Sequence, residues 1–374
     1  MKVSLFKSQA ALLLLVSWFL SPCAFAASPS PAVQKAKQDA EAKGYMFLTN
    51  RDEIVANAKR EGKLRVLAEL EPPNIKAATA AFKKVYPFID LYIEEIQGTE
   101  QVQRALLELQ SGAAKDWDVL YVPTDFNREF RPYILKMDIL GMAEQKILQI
   151  PLPMIDQKNR NSVALLSRFQ TTAYNKNLIP ADRVPRTWED LLKPEFKGKK
   201  FAADIRPTEI ACLVPAWGLE KTVDFARRLA AQQPIWVRGG SRTITAITAG
   251  EVPMMIGPNF TAVKRAQAKD RTGVLQYVNL EPVPIRLAVE EGIHKISQRP
   301  NAALLWLEWM TGQEAQKLAD ELEPLASSVH VRGGAVEQEL RGKKLSVVSW
   351  DQYQSVEQWQ NQVFEAYGFP KVDR

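Results

Sequence analysis

A hydrophobic period that switches repeatedly between strand-like and helix-like spacing is what most restricts the folds open to this chain. Residues 63–70 (KLRVLAEL) and 89–96 (IDLYIEEI) read as strands, the second by its alternation of apolar and polar residues. Between them, 74–86 is an amphipathic helix stopped by Pro87. Gly98-Thr99 opens a second helix through Gln110, with Val102, Ala105, Leu106 and Leu109 on one face. The run 118–122 (DVLYV) is short and mostly apolar, as strands buried on both faces are. Strand–helix–strand–helix–strand predicts an α/β fold with a mainly parallel sheet. The pattern then recurs. Strands at 200–203, 234–237 and 253–257 alternate with helices at 208–219, 223–232, 241–250 and 260–269. An extended stretch at 285–289 and a hydrophobic helix at 301–310 follow. Two such modules without a long linker predict two lobes around a cleft, joined by extended segments near 165–172 and 280–286.

The first 26 residues read as a cleaved signal peptide. Lys2 and Lys7 precede an apolar run over 10–20, and Ala24-Phe25-Ala26 is a small-residue cleavage site, so the mature chain is expected to begin at Ala27 in the periplasm. The apolar run is too short to span a bilayer. The alternative is a lipid anchor on Cys23, from a lipobox-like Leu20-Ser21-Pro22-Cys23 in which Pro22 stands where a small residue is usual. Residues 27–60 form an N-terminal extension, with a helix over 52–60.

Charge and composition exclude several classes. Lys plus Arg is 49 against 43 Asp plus Glu, a net +6 with no dense basic block interleaved with aromatics, so nucleic acid is not an expected partner. Without Cys23 the chain keeps only Cys212, which cannot form an internal disulfide and lies in the apolar run 210–214, the setting of a buried thiol. The two histidines, His294 and His330, lie outside the expected cleft loops. No P-loop, dinucleotide fingerprint or HExxH is present. No enzyme activity, cofactor or metal centre is expected.

Open α/β sheets bind ligands at the carboxyl ends of their strands, where helix N-termini gather. The candidates are therefore Glu71, Gly98-Thr99, Pro123-Thr124-Asp125, Asp204-Ile205-Arg206, Arg238-Gly239-Gly240-Ser241, Gly257-Pro258-Asn259 and Glu281. The sharpest is the Arg238 loop. Gly239 and Gly240 free the backbone to approach an anion, Ser241 can cap the helix, and Arg238 with Arg206 supplies two guanidiniums suited to a carboxylate or phosphonate. Asp125 and Glu71 could receive a ligand amine. The plain alternatives are solvated surface arginines and ordinary loop or cap carboxylates.

From 171 to 237 the chain resembles a known family. The carrying residues are 173–180 (AYNKNLIP), 184–192 (VPRTWEDLL) and 194–199 (PEFKGK). Weaker matches are 61–64 (EGKL), 249–253 (AGEVP), 301–314 with its TGQE ending, and the 350–370 tail with Trp359 and Tyr367-Gly368-Phe369-Pro370. These resemble bacterial extracellular solute-binding proteins of family 1, nearest the ferric-iron and 2-aminoethylphosphonate type of ABC-transporter binding protein. The resemblance implies a two-lobed type II periplasmic binding protein fold, each lobe a mixed, mainly parallel sheet flanked by helices. Lobe 1 would comprise 61–168 plus 282–374, and lobe 2 would comprise 169–281. It also implies a monomer that closes on a small-molecule ligand and hands it to a membrane permease. Trp188 and its neighbours would pack the lobe core rather than touch ligand. Ferric members carry adjacent tyrosines in the second lobe. Here the loop reads Gly257-Pro258-Asn259-Phe260-Thr261, and no Tyr-Tyr pair occurs in the chain. A small anion (phosphonate, organophosphate or carboxylate) is therefore expected, with ferric iron as the alternative and an enzyme on the same fold behind it.

Overall fold

The computed structural model describes residues 29–114, 116–123, 126–322 and 326–369. The leader and Cys23 lie outside them. Ten strands alternate with helices. Helices α1 (Pro31–Ala42) and α2 (Arg51–Glu61) precede β1 (Lys63–Ala68). Then come α3 (Pro72–Val85), β2 (Asp90–Glu95), α4 (Gly98–Ser111), β3 (Val119–Val122) and the long β4 (Ser162–Asn175). The second half brings β5 (Ala202–Asp204), α5 (Leu219–Ala231), β6 (Ile235–Val237), α6 (Gly240–Thr248), β7 (Met254–Asn259), α7 (Phe260–Lys269) and β8 (Leu275–Val278). Last are β9 (Val283–Ile293), α8 (Pro300–Thr311), α9 (Gln313–Leu322), β10 (Leu345–Val348) and α10 (Val356–Ala366).

Sequence chemistry sets these boundaries. Asn50 caps α2, its side chain accepting from the Asp52 amide at 2.8 Å, and Gly62 ends the helix at φ 63, where a side chain would be strained. Pro72 and Pro73 start α3, where a missing N–H costs nothing. The single helix expected over 208–219 is instead two short ones, Thr208–Ala211 and Val214–Trp217. Pro215 cannot donate to the carbonyl four residues back, so the chain turns there.

The strands run in the order β2-β1-β3-β9-β4-β7-β5-β6, with β10 beside β9 and β8 beside β4. In the first lobe β2, β1 and β3 are parallel; in the second β6, β5 and β7 are parallel. Strands β4 and β9 run antiparallel through the middle and belong to both. From Ser162 to Phe169, β4 pairs with β9; from Gln170 to Asn175 it pairs with β7 and β8, with a register shift between Gln170 and Thr172. These are the crossing segments expected near 165–172 and 280–286.

Each lobe has its own core. The first is built on α8, whose residues from Asn301 to Thr311 are all buried, with Trp306 edge-on to Phe82 at 5.4 Å. The N-terminal extension joins it through Ala40 and Phe47. The second gathers Trp188, Phe201, Cys212 and Phe225, and the Trp188 indole donates to the Pro282 carbonyl at 3.0 Å. Cys212 is fully buried and packs as a small hydrophobe, and that burial pushes its thiol up to about 12. Assigning all of 282–374 to lobe 1 needs correction. Val348, Trp359, Val363 and Tyr367 are buried in the second core, with α10 packed on α5. The physical reason is amphipathic: Trp359 and Val363 are four apart on one face of α10, and the second core offers the apolar surface that covers it.

Glu291 on β9 is fully enclosed. Its Oε2 accepts from the Trp306 indole at 2.8 Å, while Oε1 has no partner, and burial pushes the carboxyl up to about 8 from an ordinary 4.5. The folded protein thus keeps a proton that the unfolded chain releases above about pH 4.5. Stability is expected to fall as pH rises from about 5 to 8, and Glu291→Gln to flatten that slope. Urea denaturation of both proteins across this range checks it; an unchanged slope in the variant would assign the dependence to another group.

Candidate functional site

The two lobes leave a cavity of about 590 Å³ between them, within the range of small-molecule sites. Its first wall is the end of β1 and the starts of α3 and α4: Glu69, Glu71, Asn74, Gln97 and Gly98. Its floor is the crossing pair, through Ser167 and Arg168 of β4 and Val289 of β9. The second wall is the start of α6, with Ser241 and Thr245, and one face of α7, with Asn259, Thr261, Arg265 and Lys269. Val289 is held at φ 55, a left-handed conformation that a β-branched residue rarely adopts, at the point where its strand passes under the cavity.

Four helix N-termini therefore border one space. Among the described residues, no N-cap side chain bonds α3, α4 or α6; α3 begins Pro72-Pro73 and its next two amides bond the Glu71 carbonyl, so the first amides open to an anion are those of α4 and α6. Helix α7 is capped by Asn259, whose Oδ1 accepts from the Thr261 amide at 3.0 Å. Three basic side chains reach the cavity, and two are matched by acids. Arg168 Nη2 lies 3.4 Å from Glu69 Oε1, and Arg265 Nη2 lies 3.9 Å from Glu71 Oε1. Lys269 is one turn beyond Arg265 on the same helical face. The Tyr121 hydroxyl bonds Glu69; burial first, then the Glu69 charge, drives its pKa far up, so it is a donor and never a phenolate at ordinary pH.

Of the residues expected from sequence, Glu71, Ser241 and Asn259 line the cavity, as does Gly98 beside Thr99. Thr99, Arg206, Arg238, Gly239, Gly240 and Glu281 are not in its lining. Asp125 lies outside the described residues. Arg206 is turned back on Asp204, at 3.2 Å, and the same carboxylate accepts from the Gly239 amide at 2.8 Å. Asp204 thereby fixes the loop, while Arg238 is exposed. Helix α6 starts at Gly240 with Gly239 at its cap position, φ 96, so Ser241 lies in the first turn and is not the cap. Glu281 accepts from the Lys344 amide at 3.0 Å and borders a separate cavity with Trp217 and Lys221. Gly257 is glycine for two reasons. Its φ is 74, and a Cβ there would lie 2.2 Å from Cγ of the buried Glu209. Sequence reasoning missed Glu69, Arg168, Arg265 and Lys269. The signal for the last two was their spacing of four on a helix that opens at a candidate loop.

Two α/β lobes joined by a pair of crossing strands, with helix N-termini converging on the cavity between them, define a bilobal solute-binding protein. The chain belongs to the bacterial extracellular solute-binding protein family, which it matches over residues 68–317. It is thus a solute receptor of the kind that serves ABC transporters, and its family consists of binding proteins rather than enzymes. Solved structures share the fold. The ferric iron-binding protein A of Mannheimia haemolytica, in an open conformation, is 21% identical with a TM-score of 0.64, over 82% of this chain and 98% of that one. The Trichodesmium IdiA (FutA) protein in complex with iron and citrate is 17% identical with a TM-score of 0.64, over 82% and 99%. The substrate-binding protein of an Agrobacterium tumefaciens ABC transporter is 14% identical with a TM-score of 0.53, over 82% and 97%. No curated protein is a significant match to the sequence. No helix among the described residues is long and apolar enough to cross a membrane.

Proposed function

We propose that the protein captures a small anionic solute, a phosphonate, organophosphate or carboxylate, in the interlobe cleft and delivers it to a membrane permease. The observation that carries this reading is the second wall, where Arg265 and Lys269 of α7 line the same cavity as the uncapped starts of α4 and α6. Guanidinium, ammonium and helix amides all favour negative charge, and a planar guanidinium suits a two-oxygen contact. The protein acts as a monomer in the periplasm after loss of residues 1–26, and it uses no cofactor.

Ferric iron is the second reading, favoured by the iron-binding proteins among the structural neighbours. Against it stands the lining, which among the described residues holds no tyrosine, histidine or cysteine and has two carboxylates already facing arginines. Citrate in the Trichodesmium complex is itself a carboxylate anion, so the two readings meet in a metal–carboxylate ligand.

Calorimetry with phosphonoacetate, citrate, ferric citrate and ferric ion in a weak chelator separates them. Saturable binding of an iron-free anion is expected, with a smaller radius of gyration by solution scattering as the lobes close. Binding of ferric ion alone, with none of the anions bound, would sink the anion reading.

A further inference from the structure

Both arginines of the cleft face a carboxylate of the same chain, but the two pairs differ. Glu69, on the first wall, faces Arg168 on a strand that both lobes share. Glu71 and Arg265 belong to opposite lobes, one at the start of α3 and the other on α7. Glu71 stands at the N-cap position of α3 and makes no capping bond to it, so its charge is committed across the cleft. Both side chains are about half exposed, at 49% and 45%, so a solute in the cavity can reach them.

We propose that Glu71 is an internal counter-ion. In the ligand-free protein its carboxylate holds Arg265, and with it the second lobe; an incoming anion displaces it and takes its place. This rests on the anion reading of the cleft. Two anions compete here at close range. A tethered carboxylate acts at a high effective concentration, yet among the described residues Glu71 pairs with one cation, Arg265. A solute anion that reaches Arg265 also gains Lys269 and the uncapped start of α6, neither of which Glu71 engages among the described residues. The acid at this position thereby sets a threshold that weakly charged solutes fail to pass.

An acid-to-amide change at residue 71 is therefore expected to strengthen binding. Glu71→Gln keeps size and hydrogen-bonding capacity and removes the charge. Calorimetry with phosphonoacetate is expected to show about two- to fivefold tighter binding in the variant, the size of an exposed ion pair's contribution. Scattering from the ligand-free variant is expected to give a larger radius of gyration than wild type. Unchanged or weaker affinity, or equal ligand-free radii, overturns the proposal. If neither protein binds phosphonoacetate or citrate, the anion reading fails, and the ligand-free radii still decide whether Glu71 holds the lobes.

Discussion

Arg265→Ala is expected to weaken phosphonoacetate binding by about one to two decades. A hydrogen bond to a charged group contributes roughly 1.5–3 kcal/mol, and each 1.4 kcal/mol is about a factor of ten. The side chain is 45% exposed, which puts the effect toward the lower end of that range. Its loss also leaves Glu71 facing the solute without a cation between them. The fold should be indifferent, because α7 buries Phe260 and Val263 and not Arg265; melting should stay within about 0.5 kcal/mol of wild type. Arg265→Lys should recover only part, since an ammonium cannot make the planar two-bond contact. Arg238→Ala is the control: exposed and outside the cavity, it should change affinity by less than about twofold. Calorimetry on the three variants ranks them, and wild-type affinity in Arg265→Ala would remove that residue from the site.

Arg131→Ala is expected to lower the free energy of unfolding by about 3–5 kcal/mol, the cost of stripping one partner from a buried ionic cluster. Arg131 pairs with Asp156 at 2.9 Å and with Glu290, and donates to Ser162 Oγ at 2.9 Å and Asn127 Oδ1 at 3.1 Å. The Asp156 and Glu290 side chains are each only 3% exposed, so water cannot replace the guanidinium. Burial already pushes the Glu290 carboxyl up to about 7 despite that cation. Without it, Glu290 takes up a proton at neutral pH, and Asp156 keeps its bonds from Lys158 and Asn159 but loses its counter-charge. Adding Glu290→Gln to Arg131→Ala should restore part of the loss. Urea denaturation measures it, and a change under about 1 kcal/mol would show that water enters the cluster freely.

Much of the architecture was legible because hydrophobic period is a local property. The five elements from 63 to 122 and the helix at 260–269 lie close to where their spacing puts them. Of the cavity lining, the strand-end rule reached Glu71, Gly98, Ser241 and Asn259. Arg168 faces the cavity from within a strand, and Arg265 and Lys269 from beyond the first turn of a helix, so a rule confined to loops passes over them. Arg238 shows the converse. Its loop has the composition of an anion site, but the Asp204 carboxylate takes the Gly239 amide, a contact between residues 35 apart that no local pattern reports. Val289 left no trace at all: its residue type argues for an ordinary strand, and only the geometry of the crossing holds it at φ 55.

The interleaving of the two cores fixes an order of assembly. The first core draws on residues from Ala40 to Val331 and the second on residues from Ile179 to Tyr367. A chain emerging N-terminus first therefore cannot finish the first core until residue 331 is free, nor the second until residue 367. The floor of the cleft waits too, because Leu166 pairs with Ala288, far along the chain. Pairings this distant form slowly. The cavity between the lobes is thus completed only after nearly the whole chain is free to fold.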